Sequence, residues 1–417
     1  MHKNLTAMLA GLLLVSLIFF STPSHPVGAA VSVQFAVGSY HTCALKQTSV
    51  WCWGLNYYGQ LGDGTKVDKK GAVQVLDAAR KPFTAVTKIS SSRGSTTFGG
   101  GDRDYVGSTC AIKATEVWCW GNNDFKQLGS TTLSASTSTF PVLVTKSNRT
   151  RLNSVIDVQV GGLHACALTS GKTVWCWGAN DYGQLGIGTT PSYPPKTGAF
   201  QVKKTTSTFL TNVTAVTASQ NFTCALSAGT VWCWGVNFSG QLGIGNKTNK
   251  MYATQVKTLD GSPLTGVSSI SAGFSHVCAT NTTGAWCWGS NSFGQALNND
   301  INHADLTKAT PAVYTDGSRI PANVIISTPD FKTCFTNSGM LWCTSMGTLS
   351  LSQVMYADNS PMAIDGVLSS GGNTFCATLR SIPMCWGVNE FGQVGDRSTT
   401  YRMYPVRVKY NSGAVFP

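Results

Sequence analysis

Apolar and polar residues alternate with a period of two in short runs along most of the chain, as in "VTKIS" at Val86, "VSSIS" at Val267 and "VWCWG" at Val174. Side chains of a strand alternate between its two faces, so this period predicts half-buried β-strands. Gly, Asn, Asp and Ser separate the runs, and beyond the first thirty residues no long window keeps a helical apolar period. The pattern predicts an all-β chain.

The runs recur in a fixed order. The stretch "VWCWGANDYGQLGIG", Val174 to Gly188, has close copies beginning at Val50, Val117, Val231, Ala285 and Met384, and a weaker one, "LWCTSMG", at Leu341. A second element, "HTCAL" at His41, returns ahead of each copy as "STCAI", "HACAL", "FTCAL", "HVCAT", "KTCFT" and "TFCAT". Successive motif cysteines lie roughly 42 to 67 residues apart, a spacing that marks one repeat array rather than several independent domains. Each repeat reads as four strands, and seven four-stranded units that cannot each bury both faces predict radial closure into a seven-bladed β-propeller. The expected blades are residues 31–80, 81–145, 152–204, 211–258, 264–315, 320–357 and 362–417. The sixth lacks the second tryptophan and the "GxNxxGQ" turn, which predicts a thin blade or an altered rim. The pattern leaves open whether the tail "YNSGAVFP" adds to the first blade.

Cysteine usage narrows the picture. The fourteen cysteines fall into seven pairs: Cys43 with Cys52, Cys110 with Cys119, Cys166 with Cys176, Cys224 with Cys233, Cys278 with Cys287, Cys334 with Cys343 and Cys376 with Cys385. Six pairs are separated by nine residues, which places the partners opposite each other across a two-residue hairpin loop. The third is separated by ten, and Ser170-Gly171-Lys172 supplies a three-residue loop with Gly171 expected at the left-handed position. Directly opposed strand residues lie within disulfide range. The expected result is one hairpin disulfide per blade. Within "VWCWG", Cys176 points one way and Trp175 and Trp177 the other, so one face is stapled and the other packs.

The first thirty residues differ. Lys3, an apolar run from Ala7 to Phe20, the breaker "STPSHP" and the small-residue "VGAA" predict a signal peptide over 1–30, because the run is too short to span a bilayer. The mature protein is then expected to be secreted, periplasmic or at the cell surface, where disulfides persist. No later segment has transmembrane length.

Catalytic chemistry is poorly supplied. Glu116 and Glu390 are the only glutamates, and paired-carboxylate chemistry finds no support. "SGKT" at Ser170 lacks the glycine and the strand-to-helix turn of a phosphate loop. His41, His164 and His276 share one repeat position and are expected to serve as hydrogen-bonding strand residues, and the cysteine spacing fits no zinc site. No enzyme activity, metal or cofactor is expected.

The repeat "HxCAL…VWCWGxNxxGQLGxG" resembles the regulator of chromosome condensation family of seven-bladed propellers over nearly the whole chain from Val31. The resemblance implies the propeller fold. For function it implies a range: the founder exchanges nucleotide on a small nuclear GTPase and binds chromatin, other members are intracellular scaffolds, and some secreted bacterial members inhibit beta-lactamases. A signal peptide and paired cysteines point away from the nuclear role, and no nucleic-acid partner is expected.

Two features exceed the repeat. An insertion in the second repeat, "SSRGSTTFGGGDRDYVG" from Ser91, offers Arg93, Phe98, Asp102, Arg103, Asp104 and Tyr105 as a candidate binding loop. The formal net charge is +12, with basic residues gathered in the connecting loops, at Lys66, Lys69, Lys70, Arg80 and Lys81, at Lys146, Arg149 and Arg151, and at Lys203, Lys204, Lys247 and Lys250. This balance favours an acidic partner. The expected function is an exported, monomeric, non-catalytic scaffold that binds a protein or an acidic cell-envelope component. The alternatives are nucleotide exchange on a GTPase, inhibition of a secreted enzyme and a glycan-binding lectin with equivalent rim sites.

Overall fold

The two-residue alternation is realised as strands throughout. In blade one, Val33–Val37, His41–Lys46, Ser49–Gly54 and Lys69–Gln74 form an antiparallel sheet in chain order. Six further four-stranded sheets follow the same order, and the described residues contain no helix. The computed structural model describes residues 33–93, 107–189, 195–300, 302–344, 351–364, 368–379 and 382–416. The expected signal peptide lies outside them. The first strands of neighbouring blades meet one another, and the first strand of blade one also meets blade seven, so the sheets close radially with those strands innermost. This is the seven-bladed propeller that the repeat predicts.

The motif cysteines face each other in every hairpin. In register, Cys43 pairs with Cys52, Cys110 with Cys119, Cys224 with Cys233, Cys278 with Cys287, Cys334 with Cys343 and Cys376 with Cys385. All seven bridges form, with Cα atoms 4.0 to 4.2 Å apart. The three-residue loop of blade three keeps this facing, with Cys166 opposite Cys176. It does so differently from expectation: Lys172, at φ 58°, takes the left-handed position rather than Gly171. A three-residue hairpin loop is a turn followed by a left-handed residue, so the last of the three positions carries the strain.

The core is divided among the seams between blades. Each of seven apolar clusters joins two neighbours, with the disulfide of one blade against an aromatic of the next. Cys43 and Cys52 share a cluster with Trp120, Cys110 and Cys119 with Trp177, and Cys376 and Cys385 with Trp53. Around blade six the aromatic changes. Cys278 and Cys287 meet Phe335, which stands in for the missing second tryptophan, and Cys334 with the partly buried Cys343 meets Phe375 and Trp386. The sequence assigns opposite roles to the two faces of a blade, and the ring sets each stapled face against the next packing face. The "GQLG" segment fits into the same seam: a Cβ at Gly186, where φ is +65°, would come within 2.8 Å of the Trp234 indole nitrogen.

After its fourth strand each blade turns back and sends one apolar residue into the seam. These are Phe83, Leu152, Leu210, Leu264, Ile320, Met362 and Phe416, all buried. The tail question is thereby answered. Phe416 N–H donates to Val408 O at 2.9 Å as Phe83 N–H does to Val75 O, and the Phe416 ring lies against Trp51 and Trp53 of blade one. Ala72 of blade one donates to Lys409 O, as Ala199 of blade three donates to Thr145 O. The tail thus adds no strand; it repeats the inter-blade linker and closes the ring. Blade six is the thin one, with inner and outer strands of three residues each, Ile325–Ser327 and Leu351–Gln353.

Candidate binding surfaces

Most chemically capable side chains are spent on the seams. The second tryptophan of each full motif donates its indole N–H to the glutamine carbonyl of the preceding blade: Trp53 to Gln393, Trp120 to Gln60, Trp177 to Gln127, Trp234 to Gln184 and Trp288 to Gln241, at 2.8 to 3.0 Å. The motif asparagine staples its own turn, the Oδ1 of Asn56 accepting from Leu61 N–H and that of Asn237 from Leu242 N–H. Nε2 of His41, His164 and His276 lies 2.8 to 3.0 Å from the hydroxyl of Thr109, Thr223 and Thr333 in the next blade. Burial pushes these imidazoles down to about 3, 3 and 4, so they are neutral and cannot relay protons near neutrality. No group of three or more His, Cys, Asp or Glu able to hold a metal occurs among the described residues. The threonine and glutamine partners escape single-sequence reading, because nothing local marks them as touching another blade.

Antiparallel strand order gives the disc two unlike faces. One carries the connections between first and second and between third and fourth strands; we call it the loop face. The other carries the cysteine hairpins and the linkers from each outermost strand to the next innermost one; we call it the hairpin face.

On the loop face the first connections join around the axis. Ser39 N–H donates to Ser92 O, Arg93 N–H to Gly161 O, Gly162 N–H to Ser219 O and Phe274 N–H to Asp330 O, each bond reaching the next blade. Within this belt, at the axial end of the ring that we call the mouth, Arg93 of blade two and Asp330 of blade six feel each other's charge. Burial pushes the Asp330 carboxyl up to about 7 against the opposing pull of Arg93, and its Oδ2 has no hydrogen-bond partner among the described residues. Desolvation lowers the Arg93 guanidinium and Asp330 raises it. Asp330 was not legible as a site residue; its only signal is that blade six breaks the repeat there, with Lys332 at the histidine position. Of the candidate binding loop, the structure places Arg93 at this mouth, while Phe98, Asp102, Arg103, Asp104 and Tyr105 lie outside the described residues. Exposed aromatics of the motif turns, Tyr57, Tyr182 and Phe238, also belong to the loop face.

The hairpin face holds the charge. Over blades one to three its linkers carry Arg80 and Lys81, then Lys146, Arg149 and Arg151, then Lys203 and Lys204, and its hairpins add Lys46, Lys113 and Lys172. Only Asp77 and Glu116 oppose these ten, and Glu116 is paired with Arg151 at 2.6 Å. The corresponding described segments of blades four to seven carry Lys257, Arg319 and Lys409 against Asp260, Asp316 and Asp358. Hydroxyl and backbone hydrogen bonds from Thr258 and Ser262, Ser318, and Ser360 hold those three carboxyls below the usual range. The positive field is therefore an arc over one half of one face. Several of its ammonium groups are fixed: Lys113 lies 4.6 Å above the Phe83 ring, Lys146 4.8 Å above Trp175 and Lys204 5.2 Å above Trp232.

Comparison with known proteins agrees with this geometry. Models of the regulator of chromosome condensation (RCC1) repeat match residues 49–98, 116–168, 173–226 and 228–280, and a second model of the repeat matches 33–60, 155–184 and 267–295. The human probable E3 ubiquitin-protein ligase HERC4 is 31% identical over 229 residues, 54% of this chain, and the matched part is 19% of that ligase. The Ultraviolet-B receptor UVR8 of Arabidopsis thaliana is 25% identical over 90% of this chain and 69% of its own length. Among solved structures, human WBSCR16 superimposes with a TM-score of 0.67 over 86% of this chain and 94% of its own, at 17% identity. Yeast RCC1 (Prp20), solved bound to Kap60, gives 0.61 over 96% and 92%, also at 17% identity.

Proposed function

The chain belongs to the regulator of chromosome condensation repeat family, and from that premise we propose that it is an exported, non-catalytic propeller scaffold for a protein or cell-envelope partner. The observation that carries this reading is the fate of the chemically capable residues. All fourteen cysteines are in disulfides, each second motif tryptophan is fully or nearly buried, and the motif histidines are buried and neutral. What is left for recognition is what the repeats do not share: the basic arc, the mouth with Arg93 and Asp330, and the insertion that follows Arg93. Seven disulfides fit an oxidising, extracellular environment, since such bridges do not persist against cytosolic thiol buffers.

The test is to express the tagged full chain in its own host and determine where it resides, its N-terminus and its thiol state. The scaffold reading expects extracytoplasmic protein that starts near Ala30 and has no free thiol. Photo-crosslinking from hairpin-face positions should then capture a partner. Full-length cytoplasmic protein with reduced cysteines would overturn the reading.

A further inference from the structure

We infer that the basic arc of blades one to three is a binding site for a linear acidic polysaccharide, which lies along the linkers from Arg80 to Lys204. The inference rests on the scaffold reading and names its partner. Shape decides first. An anionic membrane is a plane and would meet the whole hairpin face, including the half where Asp260, Asp316 and Asp358 are exposed. An arc confined to neighbouring linkers suits a chain-like ligand instead. Each linker crosses the face from rim to axis, so charge recurs blade by blade along the arc, matching a polymer with charge on successive units.

Side-chain chemistry decides next. Single-stranded nucleic acid needs ring faces on which successive bases stack. The aromatics here are occupied: Phe83 is buried in a seam, Trp175 and Trp232 are packed against seams, and all three lie under lysine ammonium groups. Phe209, 44% exposed, is one ring where a stack requires several. Seven of the ten cations are lysines, which act as point charges rather than as the planar fork that grips a carboxylate side chain bidentately. Point charges at repeat spacing suit many sulfate or uronate groups, each bound weakly. Outside the cell, where the scaffold reading puts the protein, acidic polysaccharide is the polyanion of that form. A lectin for neutral sugars would need equivalent sites on all blades, and this arc serves fewer than half of them.

The experiment measures affinity of the full-length mature protein for heparin, with polyglutamate, single-stranded DNA and vesicles of equimolar phosphatidylserine and phosphatidylcholine as rival probes, across a salt series. Heparin should bind tightest, with a steep loss of affinity as salt rises. Reversal of exposed charges in the triple variant Lys81→Glu, Arg149→Glu, Lys172→Glu should weaken heparin binding on the order of a hundredfold at low salt. The loop-face variant Lys66→Glu, Lys70→Glu should leave it unchanged. An intact set of seven disulfides in both variants verifies that each still folds. Absence of heparin binding, equal loss in the loop-face variant, or tighter binding of any rival probe would overturn the inference. If heparin fails while the exported protein still crosslinks a partner, the scaffold reading stands and only the polysaccharide is removed; cytoplasmic, reduced protein removes both.

Discussion

Asp330 and the three motif histidines titrate in opposite senses, and their balance sets the pH dependence of folding. Burial raises Asp330 from 3.8 to about 7, so the folded state holds its proton more tightly than the unfolded chain. Its contribution is fully present below the unfolded value and is lost as pH rises through about 7. The histidines fall from 6.5 to about 3, 3 and 4, so theirs is present above 6.5 and is lost as pH falls toward the folded values. Three groups outweigh one, and stability measured by urea unfolding should rise with pH from about 4 to 6.5. Replacing one histidine, as in His164→Gln, should reduce that slope by at most about 1.4 kcal/mol per pH unit. Asp330→Asn should instead steepen the rise; an unchanged profile would show that Asp330 is not protonated at the mouth.

At the scale of the element, the hairpins show where local residue choice and global fold disagree. In the two-residue loop of blade two, Ala114 and Thr115 both have positive φ, 49° and 65°, though neither is a residue that favours it and Thr115 is β-branched. The Cys110–Cys119 bridge and the cross-strand register hold the loop in place. Thr115→Gly should therefore stabilise the protein by about 1 kcal/mol in chemical unfolding, because the left-handed penalty disappears. A loss of stability would mean that the threonine makes a compensating contact. Strand identity, four-strand blades and cysteine pairing were legible because period-two alternation and the nine-residue spacing are local signals. The left-handed Lys172 was missed because glycine is the usual occupant of such a position and spacing does not say which of three residues takes it. The Trp–Gln carbonyl bonds were missed for a different reason: four of them join residues 47 to 60 apart and the fifth, Trp53 to Gln393, joins residues 340 apart, so the partners meet only when blades pack side by side. For the candidate site, the basic loops were visible as composition, but which of them share a face depends on strand direction and blade order: Lys66, Lys69, Lys70, Lys247 and Lys250 fall on the loop face, apart from the arc. The mouth pair was half visible, Arg93 through the insertion and Asp330 not at all.

For the whole molecule, the seven seams are chemically alike, but chain connectivity crosses only six. The seventh, between blades seven and one, is held by the Lys409–Ala72 hydrogen bond, by the buried Phe416 and by contact between first strands. Phe416→Ala should cost about 3 to 5 kcal/mol, as for other buried aromatic truncations. Limited proteolysis should then cut first in blades one and seven, whereas an unaltered digestion pattern would show that closure does not depend on this ring.

The setting of one blade's disulfide against the next blade's indole has an optical result. Disulfides accept an electron from excited indole at contact, and Trp53, Trp120, Trp177, Trp234 and Trp288 each share an apolar cluster with a neighbouring bridge. The native protein should therefore be dim for a chain with twelve tryptophans and should brighten as its blades separate, so its intrinsic fluorescence reports directly on the integrity of the seams.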